Sequence, residues 1–433
     1  MVRNKKIVVI GAGSLQFGLG TVGSIFNSEI LKGSTVCLHD INEESLDLVH
    51  KGCQQAIAKK KLDYDLESTS NRLEALKDAD YIVNSIEVGP RFEYWDQDQN
   101  IVRKYFPNQL FGENGGPGGM FHAMRIVPPI LEICEDIKKI CPNAFFINYS
   151  NPMSRICLAI KRRYPDMRFV GLCHEIAFAE HILPKMMKTP IENIQITAGG
   201  LNHFGVVLDL KYKDSGQDGY PAVRKRWKII YNLLRLPLNL NLIDYIFKTY
   251  GYLAYTQDSH YGEYIQWARS KADIAGVKLF KKAYMTFLGY NNRRIPRLIK
   301  KGKGYRLVKP DSERGVPIIE SIIADGNTYE NSVNVPNDDI ITNLPRDLVV
   351  ECPGIADKNG VHGVKLGDYP KGLAALLRNQ ASVQDLVVEA ILEESKHIAL
   401  QALLADPIVD DANKAEKLLE EMIELQAPHI KLK

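Results

Sequence analysis

Apolar and polar positions alternate in a way that sets out strands and helices in turn. Lys6–Ile10 is a short apolar run rich in β-branched residues, and Gly11-Ala12-Gly13-Ser14 follows it at once. A helical period then starts near Leu15 and runs toward Phe26. Val36–His39 reads as a second strand ending at Asp40, and Ile41–Lys61 as an amphipathic helix. Asp80–Ser85 is a further strand and Pro129–Ile140 a further helix. Ala144–Asn148 and Arg168–Leu172 complete the strand set of this half. Strands that alternate with helices predict a parallel sheet covered on both faces. In such sheets ligands bind beyond the carboxyl ends of the strands, which places Gly11, Asp40, Asn84, Asn148 and Cys173 at the expected site.

Past residue 195 the pattern changes. Ile194–Ala198 and Val206–Lys211 read as strands flanking Gly199-Gly200-Leu201-Asn202-His203. Val383–Ala405 and Ala412–Leu425 read as long amphipathic helices, the first stopped at Asp406-Pro407 because proline cannot continue a helix. The fold expected is α/β: a Rossmann-type doubly wound parallel sheet over residues 1–195, then an α+β unit over 196–433 that carries substrate, metal and subunit contacts. The length of 433 residues suits two or three such units.

Composition narrows the classes without choosing one. Hydrophobic residues make up 45% and charged residues 25%, as in an ordinary globular protein. A net charge of +3 does not argue for nucleic acid or a membrane surface. No apolar run approaches the roughly 20 residues of a membrane helix, and the start MVRNKKIVVIGAG lacks the pattern of a secretory signal. The seven cysteines are scattered, with no CxxC pair. Together these features predict a cytosolic protein without disulfides.

The first chemistry lies in the strand–glycine–helix turn. Gly11, Gly13 and Ser14 would let the backbone approach a pyrophosphate, with the following helix N-terminus offering free N–H groups. Asp40 stands 29 residues after Gly11 at the end of the second strand, where an acid accepts from a ribose hydroxyl. A carboxylate there favours NAD over its 2′-phosphorylated form. The fingerprint departs from its usual form at Gln16, where a third glycine would fall, and Gly18 and Gly20 do not restore the spacing.

The second chemistry is a pair. Cys173, in Cys173-His174-Glu175, and His203 each close a strand-like segment, and thiolate and imidazole are good donors to a divalent transition metal. Taken by themselves they read first as a buried thiol and a hydrogen-bonded loop histidine, because two ligands alone make a poor metal signature. Two ligands would leave coordination positions open for substrate hydroxyls, a Lewis-acid arrangement. Asn148 and Asn151 sit in Asn148-Tyr149-Ser150-Asn151-Pro152-Met153, which is also a common turn.

Taken in order along nearly the whole chain, these segments resemble glycoside hydrolase family 4. KIVVIGAGS is similar to its nucleotide turn. Gly112-Glu113-Asn114-Gly115-Gly116-Pro117-Gly118-Gly119 with Met124-Arg125-Ile126-Val127-Pro128 resembles its acid-plus-glycine loop and helix. Asn151-Pro152-Met153, Gly171-Leu172-Cys173-His174 and Gly200-Leu201-Asn202-His203 resemble its Asn-Pro-Met and metal-holding segments. Asn334-Val335-Pro336-Asn337, Asn343-Leu344-Pro345 and Val350-Glu351-Cys352-Pro353 resemble its C-terminal half.

The resemblance implies the fold of lactate and malate dehydrogenases, NAD, and a divalent metal, usually Mn²⁺, on Cys173 and His203. It implies a glycosidase that does not rely on a pair of carboxylates. NAD takes hydride from C3 of the sugar, C2 becomes acidic, the metal steadies the developing charge, and elimination at C1 is followed by water addition and hydride return. By the same resemblance the base lies in Tyr250–Tyr264, with Asp258 the first candidate and Tyr255 the second. Glu113 or His174 assists the leaving group, and Asn84 and Asn148 join the cofactor site. Asn151, His174, Glu175 and Arg125 face the sugar.

Cys173-His174-Glu175-Ile176 is similar to the Cys-His-Glu-Val of α-galacturonidases, so the expected substrate is an α-galacturonide from pectin. The family's α-glucosidases, α-galactosidases and α-glucuronidases are the alternatives, and a hydroxy-acid dehydrogenase is the reading from a different chemistry. A homodimer or homotetramer is expected from the resemblance alone.

Overall fold

The computed structural model describes residues 5–14 and 17–433; Leu15 and Gln16, where the sequence puts the helix start and the missing glycine, lie outside the described residues. Among the described residues the strands are β1 (Lys6–Ile10), β2 (Thr35–His39), β3 (Asp65–Thr69), β4 (Tyr81–Asn84), β5 (Phe145–Asn148), β6 (Phe169–Gly171), β7 (Ile194–Leu201), β8 (Phe204–Tyr212), β9 (Leu253–Ala254), β10 (Thr328–Pro336), β11 (Val349–Asp357) and β12 (Gly360–Gly363). They form one sheet in the order β3-β2-β1-β4-β5-β6-β10-β11-β7-β8-β9, with β12 on β11. The first six are parallel. From β10 onward the pairing is antiparallel. The α/β class is therefore as the sequence predicts, and the switch of direction falls where the strand–helix alternation stops.

The doubly wound half follows from side-chain alternation. Successive residues of a strand point to opposite faces. In β1, Ile7 and Val9 enter one hydrophobic core and Val8 and Ile10 the other. Tyr81 and Val83 of β4 join the first core and Ile82 the second. Both faces are thus covered, as parallel strands require.

Two helices differ from expectation. The helix expected at Pro129–Ile140 begins at Gly116 and runs through Pro128 and Pro129. Its Gly-Pro-Gly-Gly start and paired prolines read as breakers. Every residue from Gly116 to Val127 is buried, and packing overrides propensity there. The long helix expected at Val383–Ala405 is two, Lys371–Leu392 and Lys396–Ala405. Glu394 between them is left-handed at φ +52°, and the Ser395 side chain caps the second helix at Ile398 N–H. That helix ends at Ala405, just before Asp406-Pro407. The polar edge strand β3 carries only two partly covered side chains, Leu66 and Thr69, which hid it from a hydrophobic pattern. No described helix is long and apolar enough to cross a membrane.

Candidate active site

The carboxyl ends of β1 and β2 border a pocket at the expected nucleotide position. Gly11 has φ +82°, and a Cβ there would meet the Ser85 backbone at 2.9 Å, so only glycine fits the turn. The Gly13 N–H donates to Asp40 Oδ2 at 2.8 Å, and Asn42 N–H to Oδ1 at 2.9 Å. Asp40 thus stands beside the glycine turn at the pocket wall. The role of the missing third glycine passes to Gly18. A Cβ at Gly18 would lie 2.2 Å from the Ala12 carbonyl oxygen, so the helix Phe17–Asn27 approaches the turn closely only because that side chain is hydrogen. The pocket encloses about 760 Å³, lined by Gly11, Gly13, Ser14 and Asp40 together with Ile41 and Arg72.

Asn84 and Asn148 occupy the predicted strand ends but turn toward each other. Asn84 Nδ2 donates to Asn148 Oδ1 at 2.9 Å, and Asn148 Nδ2 donates to the Ser150 carbonyl at 2.9 Å. Both are fully buried and absent from the pocket lining. As direct cofactor ligands they are corrected by this placement: they brace the loop that carries Ser150 and Asn151.

A second cleft of about 280 Å³ joins the nucleotide pocket. Phe17, Arg91, Glu113, Tyr149 and Asn151 line both spaces. At its floor Cys173 Sγ lies 3.2 Å from His203 Nε2. Donors held about 2.0–2.3 Å from one ion stand about 3–4 Å apart, so this pair fits a shared divalent metal. His203 is held in the left-handed region at φ +62°, a conformation that only a well-determined loop sustains. Asn114 Nδ2 stands 3.0 Å from His203 Nδ1 and fixes the ring's rotation. Burial pulls the imidazole pKa below its usual range, against the opposing pull of Glu175. Burial also pushes the Cys173 thiol up, with Glu175 and Glu351 adding to the effect, so a thiolate there requires a cation. Asn151 Oδ1 is buried without a hydrogen-bond partner beside the same cleft.

His260 is the residue that the sequence argument left without a role. It sits among three carboxylates: Glu263 at 3.5 Å and Glu113 at 4.0 Å from Nδ1, and Glu175 at 3.9 Å from Nε2. Burial lowers its pKa, but these charges outweigh burial and raise it to about 9. Glu113, His203 and His260 also offer donor atoms within 4.8 Å of one another, a further grouping able to hold a cation. Glu175 Oε1 is 3.9 Å from His203 Nε2, and the two histidines hold its carboxyl below the usual range despite burial. His174 lines the cleft from its exposed side, 3.3 Å from Glu313, whose hydrogen bond raises its pKa.

Three expected site residues fall elsewhere. Asp258 is fully buried and caps the helix Asn241–Tyr250, accepting from Leu242 N–H at 2.9 Å and Ile243 N–H at 3.1 Å. Its other oxygen accepts from Asp273 N–H at 2.9 Å. With its acceptors spent on backbone and no face on the cleft, it is corrected from catalytic base to structural cap. Tyr255 is 1% exposed and off the cleft, with Glu351 beside its hydroxyl, so it is corrected from second candidate base to a buried core side chain. Arg125 is 1% exposed and ion-paired to Asp98 at 2.8 Å, with Gln426 accepting at 2.6 Å. Its charge is neutralised beside the nucleotide pocket, away from the sugar cleft.

The comparison with known proteins bears on the whole chain. A model of the family 4 glycosyl hydrolases matches residues 6–189, and a model of that family's C-terminal domain matches residues 198–409. The chain belongs to glycosyl hydrolase family 4. An alpha-glucosidase of Erwinia rhapontici is 40% identical, with 98% of each chain covered. An alpha-galacturonidase of Thermoanaerobacter italicus is 28% identical, with 99% of this chain and 98% of its own covered. The solved 6-phospho-alpha-glucosidase from gut microorganisms, in complex with NAD and glucose-6-phosphate, superposes with a TM-score of 0.80 at 26% identity over 100% of both chains. A lactate dehydrogenase from a deep-sea metagenome superposes with a TM-score of 0.55 at 15% identity, covering 90% of this chain and 100% of its own, which is likeness of fold.

The hydrolase cleft of this family 4 chain owes its shape to one buried carboxylate. Glu263 accepts from the N–H groups of Glu113, Asn114 and Gly115 at 3.2, 2.8 and 2.6 Å. It therefore ties the glycine-rich loop to the His260 segment, joining the two halves of the chain at the cleft. Its three-residue spacing from His260 was the signal available in the sequence.

Proposed function

We propose that this family 4 hydrolase cleaves the α-glycosidic bond of a neutral glucoside, using NAD and a divalent metal, Mn²⁺ by analogy with its relatives. The observation that carries the reading is the Cys173–His203 donor pair, 3.2 Å apart in a cleft that shares a wall with the nucleotide pocket. When bound, NAD supplies a reversible hydride acceptor and the metal a Lewis acid toward sugar hydroxyls.

The chain's own residues provide the remaining work. Gly11, Gly13 and Ser14, their own N–H groups bonded within the protein, leave room for the pyrophosphate to approach the turn, and Asp40 accepts from the ribose through its remaining lone pairs. Cys173 and His203 hold the ion. Asn151, with an unpartnered Oδ1, and Glu113 take sugar hydroxyls near the shared wall. His260, charged by its three carboxylate neighbours, holds a proton within reach of the cleft and is the group best placed to pass it to or from the sugar. Glu175 keeps it charged and oriented. Residues 1–195 thus carry the nucleotide and Cys173, and residues 196–433 bring His203 and His260.

The choice of a neutral sugar rests on charge. The cations lining the cleft are already paired: Arg91 stands 3.6 Å from Glu87 and 3.8 Å from Glu113, Lys281 stands 3.3 Å from Asp96, and His260 lies among its three carboxylates. The 40% identical alpha-glucosidase points the same way. An α-galacturonide is the second reading, favoured by Cys173-His174-Glu175-Ile176 and its likeness to the galacturonidase string. A panel of p-nitrophenyl α-glucoside, α-galactoside and α-galacturonide, with NAD, Mn²⁺ and a thiol reductant, separates them. Fastest turnover of the glucoside supports the first reading; turnover of the galacturonide alone overturns it.

A further inference from the structure

Beyond the thiol wall of the cleft lies another cavity of about 300 Å³, at the lower end of the roughly 300–1,000 Å³ of small-molecule sites. Leu172, Cys173, His174, Ala177 and Glu313 line both spaces, so the second cavity adjoins the metal donors with the half-exposed His174 side chain and its partner Glu313 between them. The far wall is polar and acidic. Glu330 is satisfied by a bidentate pair with Arg314, at 2.7 and 2.8 Å. Glu180 accepts from Asn331 Nδ2 at 2.7 Å through one oxygen, which leaves lone pairs on both side chains for hydroxyl donors.

We propose that this cavity is the leaving-group subsite and that it takes a neutral, hydroxyl-rich group such as a second hexose. The inference rests on the glycosidase reading above. Three carboxylates (Glu180, Glu313 and Glu330) against one arginine and the His174 ring disfavour a phosphorylated or acidic leaving group. The same carboxylates accept well from sugar hydroxyls. A flat apolar group would desolvate the remaining acceptor positions of Glu180 and Asn331 without supplying donors to them. The far wall comes from the helix Ile176–Met187 and from β10, neither of which contributes a metal donor.

The test compares disaccharides with an aryl glycoside on the full-length protein loaded with NAD and Mn²⁺. Maltose, isomaltose, sucrose and trehalose are assayed beside p-nitrophenyl α-glucoside, for the wild type, Asn331→Ala and Glu180→Gln. For whichever disaccharide is cleaved, kcat/KM should fall about five- to tenfold in each variant through KM, the size of a lost hydrogen bond. The aryl glucoside should change by less than about twofold on the same grounds. Equal losses on both substrates, or none on the disaccharide, overturn the subsite. Cleavage of the aryl glucoside with all four disaccharides refused also overturns it, while leaving the glycosidase reading intact. A wild type inactive on every glycoside overturns the reading and the subsite together.

Discussion

Cys173 Sγ and His203 Nε2 stand 3.2 Å apart although 30 residues separate them in the chain. The thiol follows β6 and the imidazole sits in the left-handed turn between β7 and β8. In the sheet β10 and β11 lie between those strands, so the pair forms only once the antiparallel extension has docked on the parallel half. Cys173→Ser should therefore leave the fold and NAD binding intact while removing a soft donor. Mn²⁺ affinity should fall by at least about tenfold and turnover with it, judged against the losses of about 10–100-fold seen when even supporting residues of metal sites are changed. Manganese titration and NAD titration on the same preparation check it.

His260→Ala should behave differently. Loss of a proton carrier costs roughly 10²–10⁴-fold in turnover, whereas Mn²⁺ binding should change less than in Cys173→Ser. Parallel kcat and metal-affinity measurements distinguish the two roles. If His260→Ala loses metal as strongly as Cys173→Ser, the histidine is a ligand, as its grouping with Glu113 and His203 allows.

Asp258→Asn tests the correction of the expected base. Burial pushes the Asp258 carboxyl up to about 7 even though three N–H groups donate to it. A carboxyl raised in the folded state stabilises the protein fully below its unfolded pKa, near 3.8. That contribution is lost as pH rises through about 7. Asp406, raised to about 6 by burial, has the same sign. The stability difference between wild type and Asp258→Asn in chemical denaturation should therefore shift against the wild type as pH rises from about 4 to 7. Asparagine keeps one acceptor oxygen and loses the other, a cost of about 0.5–1.5 kcal/mol, while kcat of the folded variant should stay within a few-fold.

Arg125→Ala should act on stability rather than on substrate. Breaking a buried ion pair by removing one partner costs roughly 3–5 kcal/mol, since Asp98 is fully buried. Thermal unfolding should drop sharply. A KM for the sugar that rose by orders of magnitude in otherwise stable protein would contradict the placement.

The strands of the nucleotide half were legible because buried parallel strands are short runs of β-branched residues punctuated by glycine. The turn at Gly11 and the acid at Asp40 declare themselves locally. Cys173 and His203 were legible as a pair only through the family's order of segments, since nothing local joins them. What sequence could not place were orientations. Asp258 and His260 lie two residues apart in one helical turn, yet one points into the helix Asn241–Tyr250 and the other into the cleft. Arg125 looked available as a substrate cation because its partner Asp98 lies 27 residues away on another helix. Gly18 took the packing role expected two residues earlier, which only the contact with Ala12 reveals.

The most direct measurement is glycoside cleavage in D₂O with trace NAD and Mn²⁺, following product, reduced cofactor and deuterium at C2 of the released sugar. The account predicts many turnovers per NAD, no net accumulation of NADH, deuterium at C2, and silence when either NAD or the metal is removed. Hydrolysis that continues without NAD and leaves C2 unlabelled, or NADH that accumulates in step with product, would contradict it.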